Sequence, residues 1–162
     1  MTAGSTYTPI ATYNGTGSNS IITFSSIPST YTDLVLIIGG GCTLTSVVSQ
    51  LQFNGDTGSN YSWTALYGNG SSAASARASN TTTAGNCIST SASTTTIYNI
   101  MNYSNSTTYK TVLGRGNSLD AIVDSRCSLW RNTAVINRVD VSFNYGYFAS
   151  GTVVTLYGIA SA

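Results

Sequence analysis

Hydrophobic and polar residues alternate along several short segments of the chain, which is the pattern of a β-strand with one buried face. In residues 138–143 the alternation is strict, so the apolar side chains share one face. Residues 50–53 repeat the pattern with Leu51 and Phe53 pointing inward. Residues 34–38, by contrast, are apolar without interruption, which predicts a central strand covered on both faces.

Further segments show strand signals at the short, regular spacing of a β-sandwich or barrel. They are residues 7–13, 21–25, 61–67, 87–91, 95–103, 108–113, 121–130 and 152–159. Dipeptides that accept positive φ separate them. These dipeptides are at 14–15, 54–55, 69–70 and 116–117. No window of helical length shows an amphipathic pattern.

The pattern therefore predicts an all-β fold. We expect an antiparallel β-sandwich, jelly-roll-like, with about ten short strands, because that arrangement accommodates eight or more strands in one domain. The chain has 162 residues, which suits one domain. We expect a single β-sandwich domain over residues 1–162, with a short N-terminal arm over residues 1–6.

Composition strengthens the all-β prediction. Ser and Thr together make up roughly a third of the chain, far above average usage. Thr and Tyr favour strands, and the chain has eleven tyrosines. Glu and Lys, which are good formers of exposed helices, are almost absent. The hydrophobic fraction of 41% is enough to build a core.

The shortage of charge changes the functional picture. Only 7% of the residues are charged, and there is no histidine. Enzymes that move protons usually recruit His, Glu or a perturbed carboxylate, and Ser or Cys triads need a base. The net charge of +1 provides no field to attract nucleic acid or a membrane, and no apolar window is long enough to span one. We therefore expect a non-enzymatic protein without cofactor, metal, nucleic-acid partner or membrane partner.

One string, Asp56-Thr57-Gly58, matches the active-site triplet of aspartic proteases. That chemistry needs two carboxylates sharing a proton, and the chain has no second copy of the triplet. The surrounding loop, residues 54–60, offers oxygen atoms at alternate positions, yet a calcium site usually takes several carboxylates and this loop has one. We interpret the loop as a tight turn.

Three cysteines, Cys42, Cys87 and Cys127, lie far apart without the close pairs of a zinc site. We expect them to be small buried hydrophobic residues. The N-terminus shows neither a basic start nor an apolar stretch, so no secretory signal is predicted, and we expect synthesis in a cytoplasm.

Two segments, residues 70–85 and 89–96, consist almost entirely of small residues. They suit flexible loops. They equally suit close packing against a neighbouring copy in a trimer or a shell, since residues 94–98 are rich in β-branched side chains. The sequence leaves both interpretations open.

Tyrosine, arginine and tryptophan are the residues that recur at binding surfaces. The predicted interface residues are Trp130, Arg131, Arg115, Arg126, Tyr103 and Tyr109. An alternative is that the tyrosines cover the edges of the sandwich. A second alternative is that the arginines pair with Asp120, Asp124 and Asp140.

Six strings along the chain resemble virion structural proteins of tailed bacteriophages, particularly those that infect cyanobacteria and other aquatic bacteria. The strings are residues 31–36 (YTDLVL), 53–62 (FNGDTGSNYS), 66–70 (LYGNG), 100–105 (IMNYSN) with 109–111 (YKT), 129–133 (LWRNT) and 155–159 (TLYGI). Together they span nearly the whole chain, and the family carries no catalytic residues to transfer.

The resemblance implies an externally displayed β domain of a virion. Because no attachment segment or repetitive shaft precedes residue 7, we expect a capsid decoration (cement) protein rather than a tail-fibre module. Such a protein binds the major capsid protein on the outer capsid surface and copies of itself, here as a homotrimer. The alternative is a receptor-binding or host-glycan-binding tip or knob of a phage fibre, which the tyrosines would suit.

Overall fold

A computed structural model describes residues 6–89, 94–117 and 122–160, which form β-strands and connecting loops. The strands are β1 Tyr7–Asn14, β2 Ile21–Phe24, β3 Asp33–Gly40, β4 Val47–Phe53, β5 Tyr61–Gly68, β6 Ala73–Thr81, β7 Ala84–Ser89, β8 Thr94–Met101, β9 Lys110–Asn117, β10 Val123–Trp130, β11 Val139–Phe143 and β12 Val153–Ile159. The predicted all-β sandwich is confirmed, with twelve strands in place of about ten.

The strands form two antiparallel sheets. The larger has the order β1-β12-β3-β8-β9-β10-β5-β6 and the smaller β2-β11-β4-β7. When the hairpins β5–β6 and β9–β10 are set aside and the remaining strands are renumbered along the chain, the two orders become 1-8-3-6 and 2-7-4-5. This is the strand order of a jelly roll, so the structure supports that prediction too. The two hairpins extend the larger sheet beyond β8.

The core lies between the two sheets. On β11, Val139 and Val141 face inward, as the alternating pattern predicts. On the central strand β3, Leu34 and Leu36 belong to the core cluster, whereas Val35 is buried on the opposite face. The uninterrupted apolar run therefore does mark a strand that is largely covered on both sides.

β7 of the smaller sheet approaches β9 and β10 of the larger one very closely. A Cβ atom at Gly114 would lie 2.8 Å from both Cys87 Sγ and Tyr98 Cε1, so only glycine fits. Tyr98 is fully buried, and its hydroxyl lies 2.6 Å from Ser49 Oγ and donates to the Ser49 carbonyl at 3.0 Å. Burial raises the pKa of the Cys87 thiol to about 12, with the Asp124 carboxylate adding to the shift.

The single lysine, Lys110, is also interior. Its ammonium group donates to the carbonyl oxygens of Asn105 at 2.5 Å, Thr108 at 2.8 Å and Thr133 at 3.1 Å. Burial lowers the pKa of this group. Three acceptors match the three donors of an ammonium ion, so the lysine fastens two loops together instead of solvating the surface.

The hairpin β5–β6, which we call the overhang, has a different environment. Every residue of β6 is exposed or only partly buried, on both faces of the strand. On β5, Tyr61 and Ala65 are buried, whereas Leu66 is 66% exposed. The overhang is therefore a continuation of the larger sheet that is covered where it leaves the sandwich and open at its far edge.

Several boundary predictions need correction. β6 was not among the predicted strands, because its residues read as a loop or a packing segment. The dipeptide Gly116-Asn117 was predicted to be a turn, yet it ends β9, where Gly116 pairs with Thr96 and Asp124. The predicted arm over 1–6 lies outside the described residues except at residue 6, and so do parts of the predicted strands at 87–91 and 121–130 and of segment 89–96.

Candidate functional site

Three of the six predicted interface residues lie inside the domain. Trp130 and Tyr103 are buried in the core cluster, and Arg126 is 7% exposed. The hydroxyl of Tyr103 donates to the Pro28 carbonyl and accepts from the backbone N–H of Tyr31. These side chains offer almost no surface to a partner, so their prediction as interface residues is corrected: they pack the domain itself.

Arg126 takes part in a buried ion pair on the inner side of β10. Its guanidinium donates to the carboxylate of Asp124, two residues away on the same strand, with contacts of 3.0 to 3.1 Å. The guanidinium carbon also lies 4.7 Å from the ring centroid of Trp63. A cation over an aromatic face is favourable, more so when it is desolvated. The ion-pairing interpretation is therefore confirmed for Asp124 and also for Asp140, which pairs with Arg138 at 2.9 Å, and Asp120 lies outside the described residues.

The other three predicted interface residues reach the surface. Arg115 points outward from β9, and Tyr109, just before β9, is 53% exposed. Arg131 reaches the loop that precedes the overhang, where its guanidinium donates to the Ser59 carbonyl at 2.7 Å and to Asn80 Oδ1 at 2.9 Å. The six predicted interface residues therefore do not form one surface cluster.

The loop at 54–60 is a structural connection, as the tight-turn interpretation requires. Asn54 and Gly55 both have positive φ, at 53° and 70°. The Asp56 carboxylate accepts hydrogen bonds from the Trp130 indole at 2.7 Å, from the Asn60 amide and from the Gly58 backbone. Burial by itself would raise the pKa of Asp56, but these hydrogen bonds outweigh it and lower the pKa.

The outer face of the larger sheet carries little charge. Outward-facing apolar residues on its described strands include Ile37, Leu66, Ile97, Met101, Leu113, Val123, Leu129, Val153 and Ile159, whereas Val35 on the same face is already buried. Of the described outward positions on these strands, Asp33, Arg77 and Arg115 are charged. Ile37 is paired directly with Ile97 across β3 and β8. This face can therefore pack against another surface without desolvating many charges.

Among the described strands, none pairs with the edge of β6 that faces away from β5, and this edge is the feature that stands out on the overhang. Ala73–Thr81 is a nine-residue edge strand with one charged residue, Arg77, and no proline or lysine. Soluble proteins usually protect such an edge with lysine, proline or a bulge, because its unpaired backbone groups accept a strand from another chain. The bulge in this pairing lies at the far end of the hairpin, between Tyr61 and Ser62, and the ladder from Ser62 to Gly68 is regular.

An apolar depression lies on the outer side of the overhang, with a volume of about 450 Å³. Leu66 of β5 and Val123 of β10 line it and are 66% and 62% exposed. Ala73, on β6, completes its outer wall. The overhang thus combines an open backbone edge with exposed apolar side chains.

A second cleft, which we call the tyrosine cleft, lies where β11 ends and β2 begins, with a volume of about 510 Å³. Tyr145 and Tyr147 are 70% and 48% exposed there, beside the exposed side chains of Ile21 and Leu44. No phenol hydroxyl of the two tyrosines has a hydrogen-bond partner within the described residues. No local sequence pattern marks this cleft, because the two rings come together with Ile21 and Leu44 only in the folded chain.

Two cysteines, Cys42 and Cys87, are buried as predicted, and Cys127 is exposed, which corrects the prediction for that residue. Cys127 lies on β10, where outward positions alternate with buried Arg126 and Ser128. In the described ranges, no three His, Cys, Asp or Glu side chains are grouped so that they could hold a metal ion. Nor do those ranges contain a helix that is long and apolar enough to cross a membrane.

Comparison with models of known protein families gives no match, and comparison with curated proteins finds no similar sequence. The class that the fold defines is a jelly-roll β-sandwich with two added hairpins. That architecture serves viral capsid proteins, lectins and enzymes alike, so function has to be argued from the surfaces.

Proposed function

We propose that this chain is a non-enzymatic virion structural protein of a tailed phage, and that it decorates the outer surface of the capsid. In this role it binds the major capsid protein and copies of itself, as a homotrimer, and stabilises contacts between neighbouring capsid subunits. The observation that carries the proposal is the overhang, whose β6 has no buried residue and whose outer edge pairs with no other described strand.

An open edge of this length is a liability for a protein that remains alone in solution. It is an asset for a protein that is covered on assembly, because the backbone groups of β6 then pair with a neighbouring chain. The low charge of the outer sheet face favours the same role, since packing it against a neighbour desolvates few ions. The resemblance to phage virion proteins supplies the identity of the assembly.

Locating the protein on intact particles tests the proposal. Labelled antibody against the purified chain should bind to capsids from which tails and fibres have been removed, and cryo-electron microscopy of those capsids should show added density on the outer surface. Capsids stripped of the protein should rupture at lower temperature and recover when it is added back. Label found only on tails or fibres would overturn the proposal.

A further inference from the structure

The backbone that carries the two rings of the tyrosine cleft is closely packed. Gly146, which separates the two tyrosines, has a φ of +80°, and a Cβ atom there would lie 2.7 Å from Cys42 Sγ and 3.0 Å from Leu44 Cγ. The loop after β11 can therefore pack this closely against the residues after β3 only with glycine at this position. The result is a tight junction with one tyrosine on each side.

Hydrogen bonds fix the same junction. The Thr43 N–H donates to the Tyr147 carbonyl at 2.9 Å, and the Tyr147 N–H donates to Thr43 Oγ1 at 3.1 Å. Cys42 Sγ donates to the Tyr145 carbonyl at 3.2 Å. The rings are therefore presented on a backbone that is ordered before any ligand arrives, which lowers the entropic cost of binding.

Asn144 completes the support from the other side. Its backbone N–H donates to the Val48 carbonyl at 3.0 Å, and its Oδ1 accepts from the Val48 N–H at 2.9 Å. Its side-chain Nδ2 has no hydrogen-bond partner within the described structure, and Ser20 and Ser142 add hydroxyl groups to the cleft lining. The cleft therefore combines aromatic and aliphatic surface with neutral hydrogen-bonding groups.

The chemistry of the lining identifies the ligand class. All nine lining residues, 20–21, 44 and 142–147, are uncharged. An anionic ligand would be desolvated there without a counter-charge, and a purely apolar ligand would leave the phenol hydroxyls and the Asn144 amide unused. A pyranose ring has an apolar C–H face and a hydroxyl edge, which match the rings and the polar groups respectively.

We propose that the tyrosine cleft binds a neutral saccharide, with a sugar ring against Tyr145 and Tyr147. The volume of about 510 Å³ lies within the range of roughly 300–1,000 Å³ that is usual for ligand pockets. This site does not depend on the capsid role: a capsid protein that displays it adheres to glycans, and a fibre tip that displays it recognises a host. It gives the alternative glycan-binding hypothesis a definite location.

The test uses the full chain and a panel of immobilised oligosaccharides built from neutral glucose, mannose, galactose and N-acetylglucosamine units, together with sialylated and sulfated members. Saturable binding to one or more neutral members is expected. Tyr145→Ala and Tyr147→Ala should each weaken it about tenfold, equivalent to ~1.4 kcal/mol. Tyr145→Phe, which keeps the ring, should remain within about threefold of the parent.

Tyr7→Ala is the matched control, because Tyr7 is similarly exposed but lies at the start of β1, outside the cleft. It should bind like the parent, and the circular dichroism spectrum of every variant should match that of the parent. Binding confined to the sialylated or sulfated members, binding that survives both tyrosine truncations, or no binding to any neutral member at millimolar concentration would each overturn the proposal. So would adhesion to host cells that resists periodate oxidation of their glycans but is lost on protease treatment.

Discussion

The part of the larger sheet that packs against the smaller sheet, which we call the sandwiched half, and the overhang are supported in different ways. Around Tyr98 on β8, the inner face packs against β7 so tightly that Gly114 has no room for a side chain. On the overhang, β6 places alanine and serine where the sandwiched strands place large apolar residues. Burial of apolar surface is the main stabilising term in folding, so the sandwiched half stabilises the domain and the overhang depends on its neighbours.

A strand can therefore be specified without a core of its own. β6 is held by its ladder with β5 and by the sheet that continues through β10. Arg131 adds a link across the base of the hairpin by bridging Ser59 and Asn80. What the overhang lacks is a second layer, and an assembly partner is the natural source of one.

The largest expected effect on stability comes from truncating a core side chain in the sandwiched half. Tyr98→Ala should lower the free energy of unfolding by about 4 kcal/mol, because it leaves a cavity and removes hydrogen bonds to Ser49 and Cys87. Leu66→Ala, a truncation in the overhang, should change it by less than about 0.5 kcal/mol. Urea denaturation of the purified variants measures both, and equal effects would erase the distinction between the halves.

Filling the close contact between β7 and β9 should cause the next largest loss of stability. Gly114→Ala places a Cβ atom against Cys87 and Tyr98, so we expect a loss of about 3 kcal/mol, at the upper end of the range for overpacking. Gly39→Ala on β3 is the control, because a Cβ atom there meets nothing within 4 Å. It should be neutral or slightly stabilising. Thermal unfolding measures both variants. Equal midpoint temperatures for the two would show that β7 can move away from β9.

The contribution of the loop at 54–60 to the free energy of unfolding should depend on pH. Asp56→Ala leaves the buried Trp130 indole N–H without its acceptor, which should cost about 2 kcal/mol at pH 7. The folded-state pKa of Asp56 is lowered, so the carboxylate contributes its stability above the unfolded value of about 4 and loses it as the pH falls through the folded pKa.

The difference in unfolding free energy between the parent and Asp56→Ala should therefore shrink between pH 7 and pH 2.5. Ser59→Ala, in the same loop, is the control, since its side chain makes no hydrogen bond to Asp56 within the described structure. It should leave both the stability and its pH dependence unchanged. A constant difference for Asp56→Ala across this range would mean that the carboxylate charge contributes nothing to the loop.

Periodicity predicted the sandwiched half well and the overhang poorly. The alternation at 138–143 and the apolar run at 34–38 mark strands because their inner faces enter the core, and burial is what makes a strand visible in sequence. β6 enters no core, so its Ala and Ser residues carry no such signal and read equally as a loop. The second interpretation given for residues 70–85, a segment for packing against a neighbour, stays a prediction.

Site residues were harder to predict than the fold. Residue type alone favours Trp130 and Arg126 at an interface, yet exposure depends on which face of β10 each occupies, and both face inward. Tyr145 and Tyr147 gave no local pattern, because the cleft joins them to Ile21 and Leu44 from distant parts of the chain. The jelly-roll topology decides which residues from distant parts of the chain meet, and one-dimensional patterns do not encode that topology.

The smallest expected effect on stability is on the overhang itself, and it is the change with the largest expected effect on assembly. Ser75→Lys, on the outward face of β6, should alter the unfolding free energy by less than about 0.5 kcal/mol, because Ser75 is exposed and lies outside the core cluster. A charged side chain on an edge strand opposes pairing with another chain, so binding to stripped capsids and self-association should both fall sharply.

Ser106→Lys adds the same charge to an exposed loop between β8 and β9, and it should bind and associate like the parent. Sedimentation of the variants with stripped capsids, alongside light scattering of the free proteins, separates the two partners: loss in both assays places copies and capsid on the same edge, and unaltered binding in both would show that the open edge of β6 is not an assembly surface.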